Sequence, residues 1–394
     1  MSGRSVAIVG GATIDWGIRQ ATWVELAQEV GEALFRAVPA LRTEDVDSLF
    51  VGAAMPERLA FQSHVAPLAA EHLGLRPTRL IQRTELACAS GQSAIRSAYA
   101  AIASGLSDVA VAVGVEKMNL PSMPEANTAM ACVMDRAWDG ASGATAPAFF
   151  AMVAQRHMLE HGTTGEQLAV VSEKNHRFAN SNPHAQFYRK TFSREKLLGL
   201  PLVAPPLRVG DCASMTDGAA AVVLVADEVA RRYPGPVAWI RGTSQYADFH
   251  NLANAGSLTD WVGLKHAGRE ALRRAGIGLE RLDLAELHDC FTVSEIVEYE
   301  ALGLCAAGQG GRWAENGESD LGGTLPVNTR GGLLGCGHPL GATGIAQAVE
   351  VYEQFAAKVP AVRQVHDPEW ALVHNLSGSA NVHSVMVYQR GEAS

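Results

Sequence analysis

Cys88 lies in the run Ala87-Cys88-Ala89-Ser90-Gly91-Gln92-Ser93, where an extended stretch (78–86) gives way to a helical one (93–104) with Ile95, Tyr99 and Ile102 at helical spacing. A cysteine in the first turn of a helix meets unpaired backbone N–H groups and the positive end of the helix dipole. Both favour the nucleophilic thiolate. A base for such a thiol is available in Gly335-Cys336-Gly337-His338-Pro339-Leu340-Gly341-Ala342-Thr343-Gly344, which leads into a second apolar helix at 345–355. Its glycines let the backbone approach another element, Pro339 stiffens the turn carrying His338, and a neutral imidazole there can take a thiol proton. His288-Asp289-Cys290-Phe291 puts two titratable side chains and an aromatic at the end of a predicted strand (282–287). Asn375-Leu376-Ser377-Gly378-Ser379 adds a turn after the apolar run 370–373. A lone cysteine is more often buried and inert; these segments together argue for chemistry.

Residues so distant meet only if the fold brings them together, and the chain repeats its own plan. Residues 6–11 open one half and 237–242 the other, after the breaker Tyr233-Pro234-Gly235-Pro236. An amphipathic helical stretch follows in each, at 25–38 and 263–275. Residues 45–51 match 282–287, the Cys88 helix matches the Gly341 helix, and 108–114 match 370–375. Alternating strand and helix patterns predict an α/β fold with mostly parallel sheets covered by helices, and open α/β sheets bind ligands at the C-terminal ends of their strands. The division is 1–234 and 235–394, with a loop domain inserted at about 117–207. That insertion is too long for a plain connection, is rich in Met, Pro, Ala, Gly and Asn at 118–148, and reads as helical at 149–161 and 164–180.

Taken in order, these segments resemble the thiolase superfamily, and within it the sterol-carrier-protein type. Lys174-Asn175-His176, Asn182-Pro183-His184-Ala185-Gln186-Phe187 and Thr216-Asp217-Gly218-Ala219-Ala220-Ala221 add to the resemblance, which spans essentially the whole chain. It implies a five-layer αβαβα sandwich of two similar halves, with the two apolar helices in the central layer. It also implies a cysteine acyl-enzyme that cleaves 3-oxoacyl-CoA with CoA or forms it by Claisen condensation. Cys88 would be the nucleophile, His338 its base, and the N–H groups of Cys88 and of the Ser377-Gly378 turn the oxyanion donors. Many thiolases carry an acid/base cysteine in a C-terminal Cys-x-Gly turn. Here Asn375-Leu376-Ser377 stands about there, so Cys290 would take that role, with Cys336 as its competitor. His288 would act on the enolate oxygen with His338, Phe291 would line the pantetheine channel, and Ser214 would contact CoA. The loop domain would shape the CoA and acyl sites, and its Met and Phe residues suggest a mostly apolar acyl pocket. The resemblance further implies a homo-oligomer, dimer or tetramer, with the strand before Cys88 (81–87) at the dimer contact, and a small OB-fold, zinc-ribbon partner. Two alternatives stay open: a C-acyltransferase acting on a carbon acid not carried by CoA, and a CoA-adduct lyase or scaffold subunit. Lyase relatives tend to lack the nucleophilic cysteine, so Cys88 speaks against the lyase.

Composition agrees with an enzyme. The 394 residues allow two to three domain-sized units, and 47% hydrophobic with 19% charged residues is ordinary for a globular chain. A net charge of -9 argues against a nucleic-acid partner. No apolar run is long enough to span a membrane, the N-terminus has no secretory pattern, and the C-terminus lacks a Ser-Lys-Leu address. The six cysteines are scattered without a Cys-x-x-Cys pair, which suits a reducing cytoplasm and predicts neither disulfides nor a cysteine zinc site. No bound cofactor is expected, with CoA as substrate or product. Residues 10–17 lack the dinucleotide glycine spacing, and Asp211, Asp217 and the scattered histidines form no recognisable metal cluster.

Overall fold

The computed structural model describes residues 4–120 and 122–392, apart from the side chain of Met123. The terminal residues used in the leader and address readings therefore lie partly outside the described residues. Nine strands form the main sheet: β1 Val6–Thr13, β2 Ser48–Gly52, β3 Leu80–Thr84, β4 Val109–Glu116, β5 Gly218–Ala226, β6 Pro236–Ala247, β7 Leu284–Glu286, β8 Trp370–Ser377 and β9 Val382–Glu392. The helices that matter here are α1 Trp23–Ala37, α2 Val65–His72, α3 Ser90–Ala103, α4 Ala146–His161, α5 Gly165–Asn180, α6 Val262–Ala275, α7 Thr292–Leu302 and α8 Leu340–Phe355.

The strand order is β3-β2-β4-β5-β1-β6-β9-β8-β7. Its first five strands belong to the first half of the chain and its last four to the second. The halves join edge to edge where Ala7 and Ile8 of β1 pair with Trp239 and Ala238 of β6. The counterpart of β3 in the second half is reduced to an isolated parallel bridge between Ala285 and Val327. The expectation of mostly parallel strands is corrected. β2 runs parallel to β3 and β4, and β7 parallel to β8, but β5 and β9 run antiparallel to both neighbours. β9 follows β8 through a four-residue turn, and so short a link can only reverse the chain.

β1, β2, β4, β5 and β8 are buried along their whole length, which is why they read as apolar runs without alternation. α1 and α2 cover the first half-sheet and α6 the second, while α3 and α8 lie between the half-sheets and against each other. This is the expected layered α/β sandwich. Its centre is closed by backbone-on-backbone contact: a Cβ added at Gly91 would stand 2.6 Å from the Gly341 carbonyl oxygen. The insertion leaves after β4 and returns at β5. It contains a short helix, Met123–Met130, and then α4 and α5, whose N-caps Thr145 and Thr164 accept from the backbone N–H three residues on. Among the described residues no helix is long and apolar enough to cross a membrane.

Candidate active site

Cys88 sits in a sharp strand-to-helix turn between β3 and α3. Ala87 has a left-handed backbone (φ 44°), a conformation a non-glycine residue holds only when its surroundings enforce it. Here Ser90 enforces it, its hydroxyl donating to the Ala87 carbonyl at 2.6 Å and accepting from Leu86 N–H at 2.9 Å. The thiol is only 9% exposed. Around it pack Ala54, Met55, Leu59 and Leu340 from the sandwich and Met118 and Ala129 from the insertion, with Leu120, Met130, Val133 and Met215 at the edge. The insertion thus covers the thiol with apolar and sulfur-bearing side chains.

Burial pushes the Cys88 thiol up to about 12, against the sequence expectation that the helix end would favour thiolate. The N–H groups of Gly378 and Cys88 face the sulfur and pull the other way, while the buried carboxylate of Glu116 adds to the rise. Desolvation outweighs the dipole here, so the resting group is a thiol that needs a base.

His338 supplies one. Cys88 Sγ and ring nitrogens of His288 and His338 all lie within 4.8 Å of one another, and all three residues are buried. The two imidazoles meet edge to face with centroids 4.9 Å apart. His338 Nδ1 is 2.8 Å from Thr343 Oγ1, and the Thr343 hydroxyl donates to the Pro339 carbonyl at 3.0 Å. With its one hydrogen committed there, Thr343 accepts from His338 Nδ1–H. The lone pair of His338 is therefore on Nε2, which has no protein partner. Burial lowers His338 to about 3, so the ring is neutral. The turn is held from behind: His338 N–H donates to Thr216 Oγ1 at 3.1 Å and the Ser214 carbonyl is 3.3 Å away, while Gln186 N–H and Phe187 N–H bind the carbonyls of Cys336 and Gly335. The 182–187 and 214–218 segments therefore fix His338 through backbone groups and the Thr216 hydroxyl.

Cys290 is also buried. Its Sγ lies 3.7 Å from Ser294 Oγ, and burial, with the nearby Cys88 sulfur adding to it, raises its thiol well above the ordinary value. Cys336 faces elsewhere: its thiol donates to the Arg330 carbonyl at 3.1 Å, and Asn182 Nδ2 is 3.6 Å from it. Of the two competitors, Cys290 is therefore the one beside Cys88. Phe291 stacks on Phe150 of α4 with centroids 4.4 Å apart, tying the insertion to the strand end. Ser377 ends β8 and Gly378 follows it in a left-handed conformation (φ 55°) that turns its N–H to Cys88.

Several residues of the site escape sequence reasoning. Glu116, at the end of β4, accepts from Ala54, Met55 and Gly341 N–H groups, tying the α8 N-terminus to the first half-sheet, and burial raises it to about 7. Behind His288, whose ring nitrogens have no protein partner, Glu298 accepts its N–H at 3.0 Å and lies 3.2 Å from His374 Nδ1. His374 Nε2 is in turn 3.1 Å from His383 Nδ1. Spacing gives no signal for this chain of groups, because its members come from α7, β8 and β9. Among the described residues the fold also assembles two groups of ligand-type side chains, the Cys88-His288-His338 trio, drawn from separate segments, and His157-His161-Glu300, whose i, i+4 histidine pair is a spacing the sequence reading passed over.

Comparisons with known proteins show the family. The family description "Thiolase, N-terminal domain" matches residues 6–194, and "Thiolase C-terminal domain-like" matches 244–390. An acetyl-CoA acetyltransferase of Methanothermobacter thermautotrophicus is 38% identical over 98% of this chain and 100% of its own length. A benzoylsuccinyl-CoA thiolase subunit of Thauera aromatica is 31% identical over 95% of each chain. Among solved structures, an Ltp2–ChsH2(DUF35) aldolase superposes with a TM-score of 0.83 at 25% identity over 98% of each chain. Human mitochondrial 3-ketoacyl-CoA thiolase in complex with CoA, at 18% identity, shares the fold with a TM-score of 0.75 over 98% of each chain. With both family descriptions matching and relatives aligned from end to end, the chain belongs to the thiolase family.

Proposed function

We propose that this thiolase-type acyltransferase carries acyl groups on Cys88 and makes or breaks a carbon–carbon bond with the help of Cys290. The single observation behind this reading is the buried trio, in which a thiol, the free Nε2 of His338 and the His288 ring converge. In the first half-reaction His338 Nε2 takes the Cys88 proton as sulfur attacks the thioester carbonyl. The oxyanion points at the N–H groups of Cys88 and Gly378, and CoA leaves as thiolate, regaining the proton from His338. In the second, written as thiolysis, Cys88 attacks the 3-oxo carbonyl as His338 takes its proton, and the carbon–carbon bond breaks to an enolate whose oxygen faces His288 and His338. Cys290 gives its proton to the enolate carbon and regains one from His338; condensation is the reverse. A raised thiol pKa at Cys290 suits a group that must hold its proton until a carbanion forms. Phe291 and Ser214 would border the CoA path, and the Met118-bearing cover favours an apolar acyl group. Coenzyme A is substrate and product, with no resident cofactor.

The test is intact-mass analysis after mixing with acetyl-CoA and longer or aromatic acyl-CoAs. One acyl group should be added, mapped to Cys88 and absent in Cys88→Ala. Unchanged thiolysis by that variant would remove the basis of the reading. The two-domain division at about residue 234 stands as part of it.

A homo-oligomer formed through the β3 edge is the assembly we favour, supported by that strand's outermost place and by Ile81, 45% exposed. A small OB-fold, zinc-ribbon partner is supported by the DUF35-containing complex among similar structures and by the subunit status of the Thauera relative. The same aldolase complex favours, as a second reading, a lyase acting on CoA adducts, against which Cys88 stands. A reducing cytoplasm is in keeping with six free cysteines.

A further inference from the structure

A second cluster lies away from the Cys88 trio and has no part in the acyl chemistry. The last two turns of α4 read His157-Met158-Leu159-Glu160-His161, which puts two imidazoles four residues apart on one helix face. Their rings are 4.8 Å apart. Facing them from α7 is Glu300, whose two carboxylate oxygens lie 3.1 and 3.2 Å from His157 Nε2. One ligand atom from each of the three residues lies within 4.8 Å of the others.

The surroundings of these groups have the form of a metal site's outer shell. His157 is buried and its Nδ1 lies 2.7 Å from Thr163 Oγ1, which fixes the ring with Nε2 toward Glu300. The Glu300 carboxylate is held by the N–H groups of Gly308 and Gly310, each at 2.8 Å. Gly308 has φ 76°, and a Cβ there would stand 2.6 Å from His161 Nδ1, so glycine leaves the imidazole its room. His161 is exposed, which leaves one side open to solvent and a fourth position for water.

We propose that His157, His161 and Glu300 bind a borderline divalent transition metal, Zn²⁺ by their two-nitrogen, one-oxygen donor set, and that this ion clamps the insertion to α7. The site is structural. Glu160, the residue that a hydrolytic His-x-x-Glu-His helix would use as base, is instead held by Arg156 at 2.6 Å and Thr259 at 2.9 Å. The clamp joins α4, whose Phe150 stacks on Phe291, to the helix that begins two residues after Cys290.

The experiment uses the full chain carrying Cys88→Ala, which removes the thiol of the other ligand group. Chelator-treated protein is titrated with ZnCl₂ by calorimetry, and bound metal is counted by elemental analysis after desalting. One equivalent should bind and raise the unfolding midpoint by a few degrees, with MgCl₂ giving no shift. His161→Ala, at an exposed position, should keep the metal-free midpoint but weaken binding at least tenfold, and Glu300→Gln should weaken binding as much while lowering the metal-free midpoint, because its carboxylate accepts from two backbone N–H groups. Absence of stoichiometric Zn²⁺ in the Cys88→Ala protein, or unchanged affinity in His161→Ala, overturns the proposal. Neither result would touch the acyl-transfer reading, which is measured separately.

Discussion

Replacing Thr343 by Val tests whether the His338 tautomer is set from behind. Val is nearly the same size, and the site is 1% exposed, so the change removes a hydroxyl and little else. The Pro339 carbonyl keeps two other donors, the N–H groups of Ala342 and Thr343 at 2.9 and 3.0 Å, so it is not orphaned. The whole loss falls on His338 Nδ1–H. A buried N–H without an acceptor costs about 1–3 kcal/mol, but the ring has an escape: it moves the proton to Nε2. That tautomer presents a donor to Cys88 where a lone pair is required. If Nδ1–H is disfavoured by about 1–2 kcal/mol, the base-competent fraction falls about 5- to 30-fold. Burst acylation of Cys88 by acyl-CoA, read by rapid quench and mass, should slow by that factor, with global stability lowered by no more than about 2 kcal/mol. Thr343→Ser, which keeps the oxygen, should recover most of the rate. A burst within twofold of the parent, or equal slowing in Thr343→Ser, would refute the argument.

Three further outcomes follow from the geometry. Cys290→Ser should spare burst acylation and suppress steady-state thiolysis by two or more orders of magnitude (~10²-fold, the scale of a lost acid/base group), whereas Cys336→Ser should leave both within a few-fold; the reverse pattern would move the acid/base role to Cys336. Gly114→Ala would press a Cβ into the backbone of Gly341 and Ala342 at the centre of the sandwich, and should cost about 3 kcal/mol or more in urea denaturation. Stability should also peak in mildly acid solution. Buried His338 and His383 are lowered to about 3 from 6.5, so their contribution is present above 6.5 and is lost as pH falls towards 3. Buried Glu116 and half-buried Glu353 are raised to about 7 from 4.5, so their contribution is present below 4.5 and is lost as pH rises through 7. A thermal midpoint that climbs steadily from pH 5 to 8 would contradict this balance.

The sequence made the architecture and the reacting groups readable for different reasons. Fully buried strands such as β4 and β5 appear as unbroken apolar runs, while α3 shows through Ile95, Tyr99 and Ile102 at helical spacing and α8 through its apolar run. Cys88, His338 and Cys290 stand in short segments with distinctive neighbours, so their types and order were visible. What could not be read were the consequences of burial: the helix end promised a thiolate, and desolvation delivers a thiol. Nor could linear spacing show partners drawn from separate elements, such as Glu298 with His374, or Glu116 with the amide of Gly341. The antiparallel course of β5 was also hidden, because the insertion separates it from β4 by about a hundred residues of other structure.

The placing of β1 governs the order in which this chain can assemble. Of the strands in this sheet it is made before the others, yet it lies in the interior, between β5 and β6. Neither neighbour exists until residues 218–247 have been made. Until then both margins of an apolar strand lack their hydrogen-bond partners, and β4 lacks one of its own. Such long-range pairing slows folding and leaves strand edges open to other nascent chains. Folding on the ribosome should therefore begin with the local unit of β2, β3, β4 and α3, and close late. Chains stalled near residue 200 should expose β1 amides to rapid hydrogen exchange, whereas chains released beyond residue 260 should protect them.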